Sequence, residues 1–78
     1  MTIEERVKNV IAQQLKVKSE DITDDSNFVK DLGADSMASI ELVAAFEAEF
    51  EIEMDEDAAL KVKTVGETVK FIQNILKE

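Results

Sequence analysis

Ser36 stands in "KDLGADSMASIEL" with Asp31 and Asp35 just before it and an apolar-periodic run after it. That setting presents a hydroxyl at the start of a helix. A serine nucleophile normally relies on a neighbouring base, most often an imidazole. The chain has no His and no Cys, so it supplies neither the usual base nor a thiol. A hydroxyl placed at a helix start has two uses that need no base. Unpaired amides and the positive end of the helix dipole favour a phosphate there, so a serine could carry a phosphodiester. The serine could equally cap the helix, because Ser is a preferred N-cap residue and Asp35 beside it is another.

Other chemistries fail on spacing or residue type. A calcium loop starting at Asp21 needs Gly at its sixth position and Glu at its twelfth, where the chain has Ser26 and Leu32. Starting at Asp31 it meets Ser36 and Leu42 instead. Zinc is disfavoured without His or Cys. Asp24 with Asp25, and Glu47 with Glu49, are acids on a loop or helix surface, which are far more often solvated than catalytic. No catalytic residue and no metal site are expected.

The elements that would hold Ser36 follow from caps and periodicity. Thr2 with Glu5 forms a T-x-x-E capping box, after which Ile3, Val7, Val10, Ile11 and Leu15 recur on one helical face, giving a first helix over about 3–15. Residues 16–35 read as a long loop that packs through Val17, Ile22, Phe28 and Leu32. A second helix runs from Ser36 to about Phe50, with Leu42, Val43, Phe46 and Phe50 turned inward and Asp35 placed to cap it. The segment "DEDAALKV" allows a short helix at about 56–62. Thr64 with Glu67 opens a last helix with Val65, Val69, Ile72 and Leu76 on one face. The expected fold is all-α: a small three-helix bundle with one short additional helix and a long loop between the first two, forming a single domain over 1–78.

The charge distribution narrows the partners. The net charge is −9, yet residues 19–57 hold fourteen acids against Lys30, between two ends that are each net basic. Such a field disfavours nucleic acid and anionic membrane and steers basic protein partners toward the middle of the chain. No segment approaches the ~20 apolar residues of a membrane span. The N-terminus lacks the apolar run of a signal peptide, so a cytoplasmic monomer is expected.

"DLGADSM" followed by "IELVAAFEAEF" resembles the prosthetic-group site of the acyl carrier proteins of bacterial (type II) fatty acid synthesis. The resemblance extends to "TIEERVKNVIAQQL" at the first helix, "DDSNFVKDLGADS" in the loop and "KTVGETVKFI" at the last helix. It implies that Ser36 receives 4'-phosphopantetheine from coenzyme A through a carrier-protein synthase that supplies the metal and the base. The arm would hold growing acyl chains as thioesters while the fatty acid synthesis enzymes act on them. It further implies that Asp35, Glu41 and Glu47, with Met37, Ile40 and Ala44, face basic docking patches on those enzymes. Phe28, Phe46, Ala59 and Val62 would line the space for the acyl chain, with Phe46 and Phe50 limiting its length.

The chain departs from the family pattern at four places. Ala38 and Ala48 stand where acids are common, Asp55 stands where a proline often precedes the third helix, and Leu60 is large and apolar on a usually polar helix. These departures keep open a specialised carrier for another acyl, polyketide or aminoacyl pathway. From other classes, an unmodified acidic adaptor and a small serine enzyme are the alternatives.

Overall fold

Both T-x-x-E segments close as capping boxes. Thr2 Oγ1 accepts the Glu5 amide at 3.1 Å while Glu5 Oε1 accepts the Thr2 amide at 2.9 Å. Thr64 and Glu67 repeat the exchange at 3.3 and 3.1 Å. The amides held by each glutamate keep its carboxyl below the ordinary range: Thr2 does so for Glu5, and Lys63 and Thr64 for Glu67. In the computed structural model, which describes residues 2–77, these boxes start the first and last of four helices. They are α1 (Ile3–Leu15), α2 (Ser36–Phe50), α3 (Glu56–Leu60) and α4 (Val65–Leu76), with a 3-10 turn at Ser19–Asp21. No strand occurs among the described residues, only an isolated bridge between Asn27 and Thr64.

α1 is the middle of the bundle, packing against both α2 and α4, and α3 packs chiefly against α2. The inward stripes meet in one core in which Val7, Ile11, Val65 and Ile72 are fully buried. Full burial of such a side chain contributes about 1.5–3 kcal/mol. The loop anchors join this core, with Ile22 and Phe28 buried and Val17 and Leu32 half-buried. Leu76 shares the spacing of the inward face but is 40% exposed, at the last residue of α4.

Two features lay outside the sequence reading. Arg6 on α1 grips the end of α2: its Nε donates to Glu49 Oε2 at 2.9 Å, a terminal nitrogen donates to the Glu49 carbonyl at 2.8 Å, and the guanidinium lies 4.4 Å from the Phe50 ring centroid. The short helix is also shorter than the expected 56–62. Its end tightens, since the Lys61 amide donates to the Ala58 carbonyl and the Val62 amide to the Ala59 carbonyl, each at 3.2 Å, three-residue spacings that stop the α-helix at Leu60.

The long loop is tied to the far end of the chain through backbone bonds. The Phe28 amide donates to the Lys63 carbonyl at 3.0 Å, Val65 to Ser26 at 3.0 Å and Gly66 to Asp24 at 2.9 Å. Two first-turn amides of α4, which have no partner inside the helix, thereby fix the loop instead of facing water. A side chain at Gly66 would bring its Cβ within 3.2 Å of the Asp24 carbonyl oxygen. Glycine permits this approach.

Candidate functional site

A compact turn over residues 27–34 carries the chain to α2. Asn27 organises it: its side-chain oxygen accepts the amides of Val29 and Lys30 at 3.0 and 2.9 Å, and its carbonyl those of Asp31 and Leu32 at 2.9 and 3.1 Å. The Asp31 carboxylate accepts the Asn27 amide at 2.7 Å in return. Gly33 then takes φ +74°, a left-handed conformation that side-chain-bearing residues enter at a cost. Ala34, buried at 3% exposure, pins the segment just before the helix.

The cap is Asp35. Its Oδ1 accepts the Ala38 amide at 2.8 Å, and its carbonyl accepts both the Ser39 amide and the Ser39 hydroxyl at 2.9 Å. Ser36 is therefore the first helical residue, exposed, and its hydroxyl makes no hydrogen bond to the described residues. The amides of Ser36 and Met37 belong to the first turn and have no acceptor within the helix. The other serines differ. Ser39 is bonded to Asp35, Ser26 is buried at 8% exposure and bonded to Thr23, and Ser19 lies in the 3-10 turn, away from any α-helix start.

Along α2, Met37, Ile40, Glu41, Ala44 and Glu47 follow at three- and four-residue steps and share one face. Met37 and Ile40 are 64% and 44% exposed, and Asp35, Glu41 and Ala44 are exposed. Glu47 differs from its neighbours. It is half-buried, and its Oε2 accepts the Met54 amide at 2.8 Å.

Phe28, Phe46, Ala59 and Val62 meet on the lining of one open-sided cavity of about 300 Å³ between α2, α3, α4 and the long loop. The volume is about twice that of an engineered apolar protein cavity that admits benzene. Ser39, one turn along α2 from Ser36, also lines it, as do Met54, Leu60 and Phe71, which sequence reasoning did not select. Their signal in the sequence was weak. Phe71 lies beside the α4 stripe, and Met54 lies in a short connection without period. Phe50 is absent from this lining and packs under Arg6 on the α1 side, so of the two phenylalanines expected to limit chain length only Phe46 is placed to do so.

No group of three or more His, Cys, Asp or Glu side chains among the described residues is arranged to hold a metal ion, and no described helix is long and apolar enough to cross a membrane.

Residues 5–72 match the family described as the phosphopantetheine attachment site. The chain belongs to that family. A solved structure from Mycobacterium tuberculosis, provisionally described as an acyl carrier protein, is similar to it with a TM-score of 0.86 and 30% sequence identity, over 94% of this chain and 97% of that one. This carrier domain thus takes 4'-phosphopantetheine as its prosthetic group and acts as a carrier, not an enzyme. Carriers of this kind work with a phosphopantetheinyl transferase and with acyl-processing enzymes. The start of α2 fits a phosphate: an exposed hydroxyl stands among amides that lack helical partners, at the positive end of the helix.

Proposed function

We propose that this carrier domain bears 4'-phosphopantetheine on Ser36 and carries growing acyl chains between the enzymes of type II fatty acid synthesis. The observation behind the assignment is the division of labour at the start of α2. Asp35 caps the helix, which leaves the Ser36 hydroxyl exposed and unbonded. Ser36 Oγ attacks the pantetheine-side phosphorus of coenzyme A: the new O–P bond forms as the P–O bond of the pyrophosphate breaks, adenosine 3',5'-bisphosphate leaves, and the serine proton passes to a base on the transferase. The chain has no imidazole, and one oxygen of the carboxylate on the preceding residue, Asp35, is held by the Ala38 amide. Once attached, the phosphodiester lies at the N-terminal end of α2, where dipole and amides favour an anion by about 0.3–1 kcal/mol.

When bound, the prosthetic group supplies a thiol that holds acyl groups as thioesters. The protein's own part is to shelter the chain and to be recognised. The cavity lined by Phe28, Phe46, Ala59 and Val62 removes acyl methylenes from water, a gain of about 0.8 kcal/mol for each one buried. On the exposed face of α2, Asp35 and Glu41 draw basic docking patches while Met37, Ile40 and Ala44 add apolar contact. Glu47 belongs to the same face.

A second reading, a carrier dedicated to another acyl, polyketide or aminoacyl pathway, is favoured by one feature. Ala38 leaves the first turn of α2 without an acid, unlike the first turns of α1, α3 and α4. Mass spectrometry of the protein from its own host separates the two. A series of saturated chains differing by two carbons supports fatty acid synthesis. A single dedicated acyl, polyketide or aminoacyl group contradicts it.

A further inference from the structure

The cavity between α2, α3, α4 and the long loop has no acidic residue on its wall, although the chain carries 18 acids against 9 basic residues. Two lysines, Lys30 and Lys63, stand there instead. Lys30 is the only basic residue between positions 19 and 57. The fold brings the two together from distant parts of the chain: the Phe28 amide donates to the Lys63 carbonyl at 3.0 Å, and the Lys30 amide donates to the Asn27 side chain at 2.9 Å, beside the bridge from Asn27 to Thr64. Both lysines are exposed, and among the described residues only Arg6 and Lys8 have a carboxylate within 4.0 Å. The carboxylates at hand are committed elsewhere. Asp31, next to Lys30, accepts the Asn27 amide through Oδ2 at 2.7 Å, and Glu67 accepts the amides of Lys63 and Thr64 through Oε1 at 2.9 and 3.1 Å. The hydroxyls on the wall are engaged as well, since Ser39 and Thr68 donate to the carbonyls of Asp35 and Thr64. The two ammonium groups are left free of ion pairs with the described residues.

A lysine at the edge of an apolar space lays its stem along that space and keeps its ammonium in water. Lys30 and Lys63, exposed residues of the wall, thus put positive charge at the rim of the cavity. We infer that this cavity shelters, besides plain saturated chains, acyl chains that carry a carboxylate at the end remote from the thioester, and that Lys30 and Lys63 set this specificity by pairing with it. The inference rests on the reading that the cavity shelters the acyl chain, and it adds a class of cargo to that reading. In an apolar cavity with no cation, such a chain either leaves its methylenes in water or buries an unpaired carboxylate, which is strongly disfavoured. The lysines remove that conflict. Methylenes lie against Phe28 and Phe46 while the carboxylate meets an ammonium at the open rim, so that neither charge is fully desolvated. An exposed pair of this kind is weak between separate molecules. The cargo is tethered through the prosthetic arm, however, which makes the encounter intramolecular and raises the effective concentration of the carboxylate at the rim. The acids of residues 19–57 repel the same group from the surrounding surface.

The test loads the holo-protein with two eight-carbon thioesters, octanoyl and the half-thioester of octanedioic acid, which has a carboxylate in place of the terminal methyl group. Cleavage by hydroxylamine at neutral pH is followed in wild type and in the double variant Lys30→Gln, Lys63→Gln. Each rate is divided by that of the same thioester on free pantetheine. In wild type both cargoes should react several-fold more slowly than their free counterparts. The double variant should keep the protection of octanoyl, which also shows that it is folded, and lose most of the protection of the octanedioyl group. Raising the salt concentration should likewise expose only the octanedioyl thioester of wild type, because a pair at an open rim is screened. An octanedioyl thioester as reactive as its free counterpart in wild type, or equally protected with and without the lysines, overturns the pairing alone. Loss of octanoyl protection in the double variant assigns the lysines to the fold and overturns the pairing as well. A wild-type octanoyl thioester as reactive as the free one overturns the sheltering cavity, and the inference with it.

Discussion

Asp35 Oδ1 accepts the Ala38 amide at 2.8 Å, and this bond spans Ser36 without involving it. The two uses open to a hydroxyl at a helix start are thereby divided between adjacent residues. Asp35 stabilises the helix end, and Ser36 is available for modification.

The first prediction concerns that cap. Asp35→Ala removes the acceptor for Ala38 and should lower stability by about 1 kcal/mol, whereas Asp35→Asn keeps an acceptor and should lose much less. Urea denaturation of both variants measures the difference. Equal losses would mean that the cap contributes through charge and not through the hydrogen bond.

Ala38 occupies the third position of α2, where α1 and α4 place Glu5 and Glu67. Ala38→Asp puts a carboxylate in the first turn, so folding should be unchanged or improved by up to ~1 kcal/mol. If the missing acid marks a dedicated pathway, the substitution should also raise the rate of modification by a generic carrier-protein synthase at low salt. An unchanged rate in the folded variant would show that Ala38 does not set partner choice.

Filling the cavity should separate stability from cargo. Ala59 is half-buried on its wall, and Ala59→Leu adds apolar volume where the wall faces open space. The apo form should be as stable as wild type or more so. Eight-carbon acylation, which raises the melting temperature of wild type through burial of the chain, should raise that of Ala59→Leu far less. An identical rise in both would place the chain outside this cavity.

The acid limb of stability should report the capping boxes. The carboxyls of Glu5 and Glu67 are held below their ordinary value of 4.5 by the amides they accept. The unfolded chain therefore takes up protons first, and the stabilisation present above about pH 4.5 is lost as pH falls through that value and the lower folded ones. Glu67→Gln removes one titrating group. Its stability should fall less than wild type's between pH 5 and pH 3 in a series of urea titrations. Parallel curves for the two proteins would show that the Glu67 box does not contribute to the acid limb.

Much of this architecture could be read in the sequence because the signals are local. Both T-x-x-E boxes, the stripe Leu42, Val43, Phe46 and Phe50, and the loop anchors Ile22 and Phe28 each depend on residues within one or two turns of one another. Phe28, Phe46, Ala59 and Val62 were grouped through the family resemblance, and the fold brings them to one cavity. Contacts between distant segments left no such trace. The reach of Arg6 to Glu49 and Phe50 depends on how α1 meets α2. The bond from Glu47 to Met54 depends on the path of a turn that has no period, and it gives an acid read as surface charge a second engagement.

Attachment of the prosthetic group to Ser36 is the central claim, and mass spectrometry of the modified protein tests it most directly. Incubation with coenzyme A, magnesium and a carrier-protein synthase should add a single phosphopantetheinyl group, localised to Ser36 by fragmentation, and Ser36→Ala should take up none. A label on Ser39 or Ser26, or undiminished labelling of Ser36→Ala, would contradict the account.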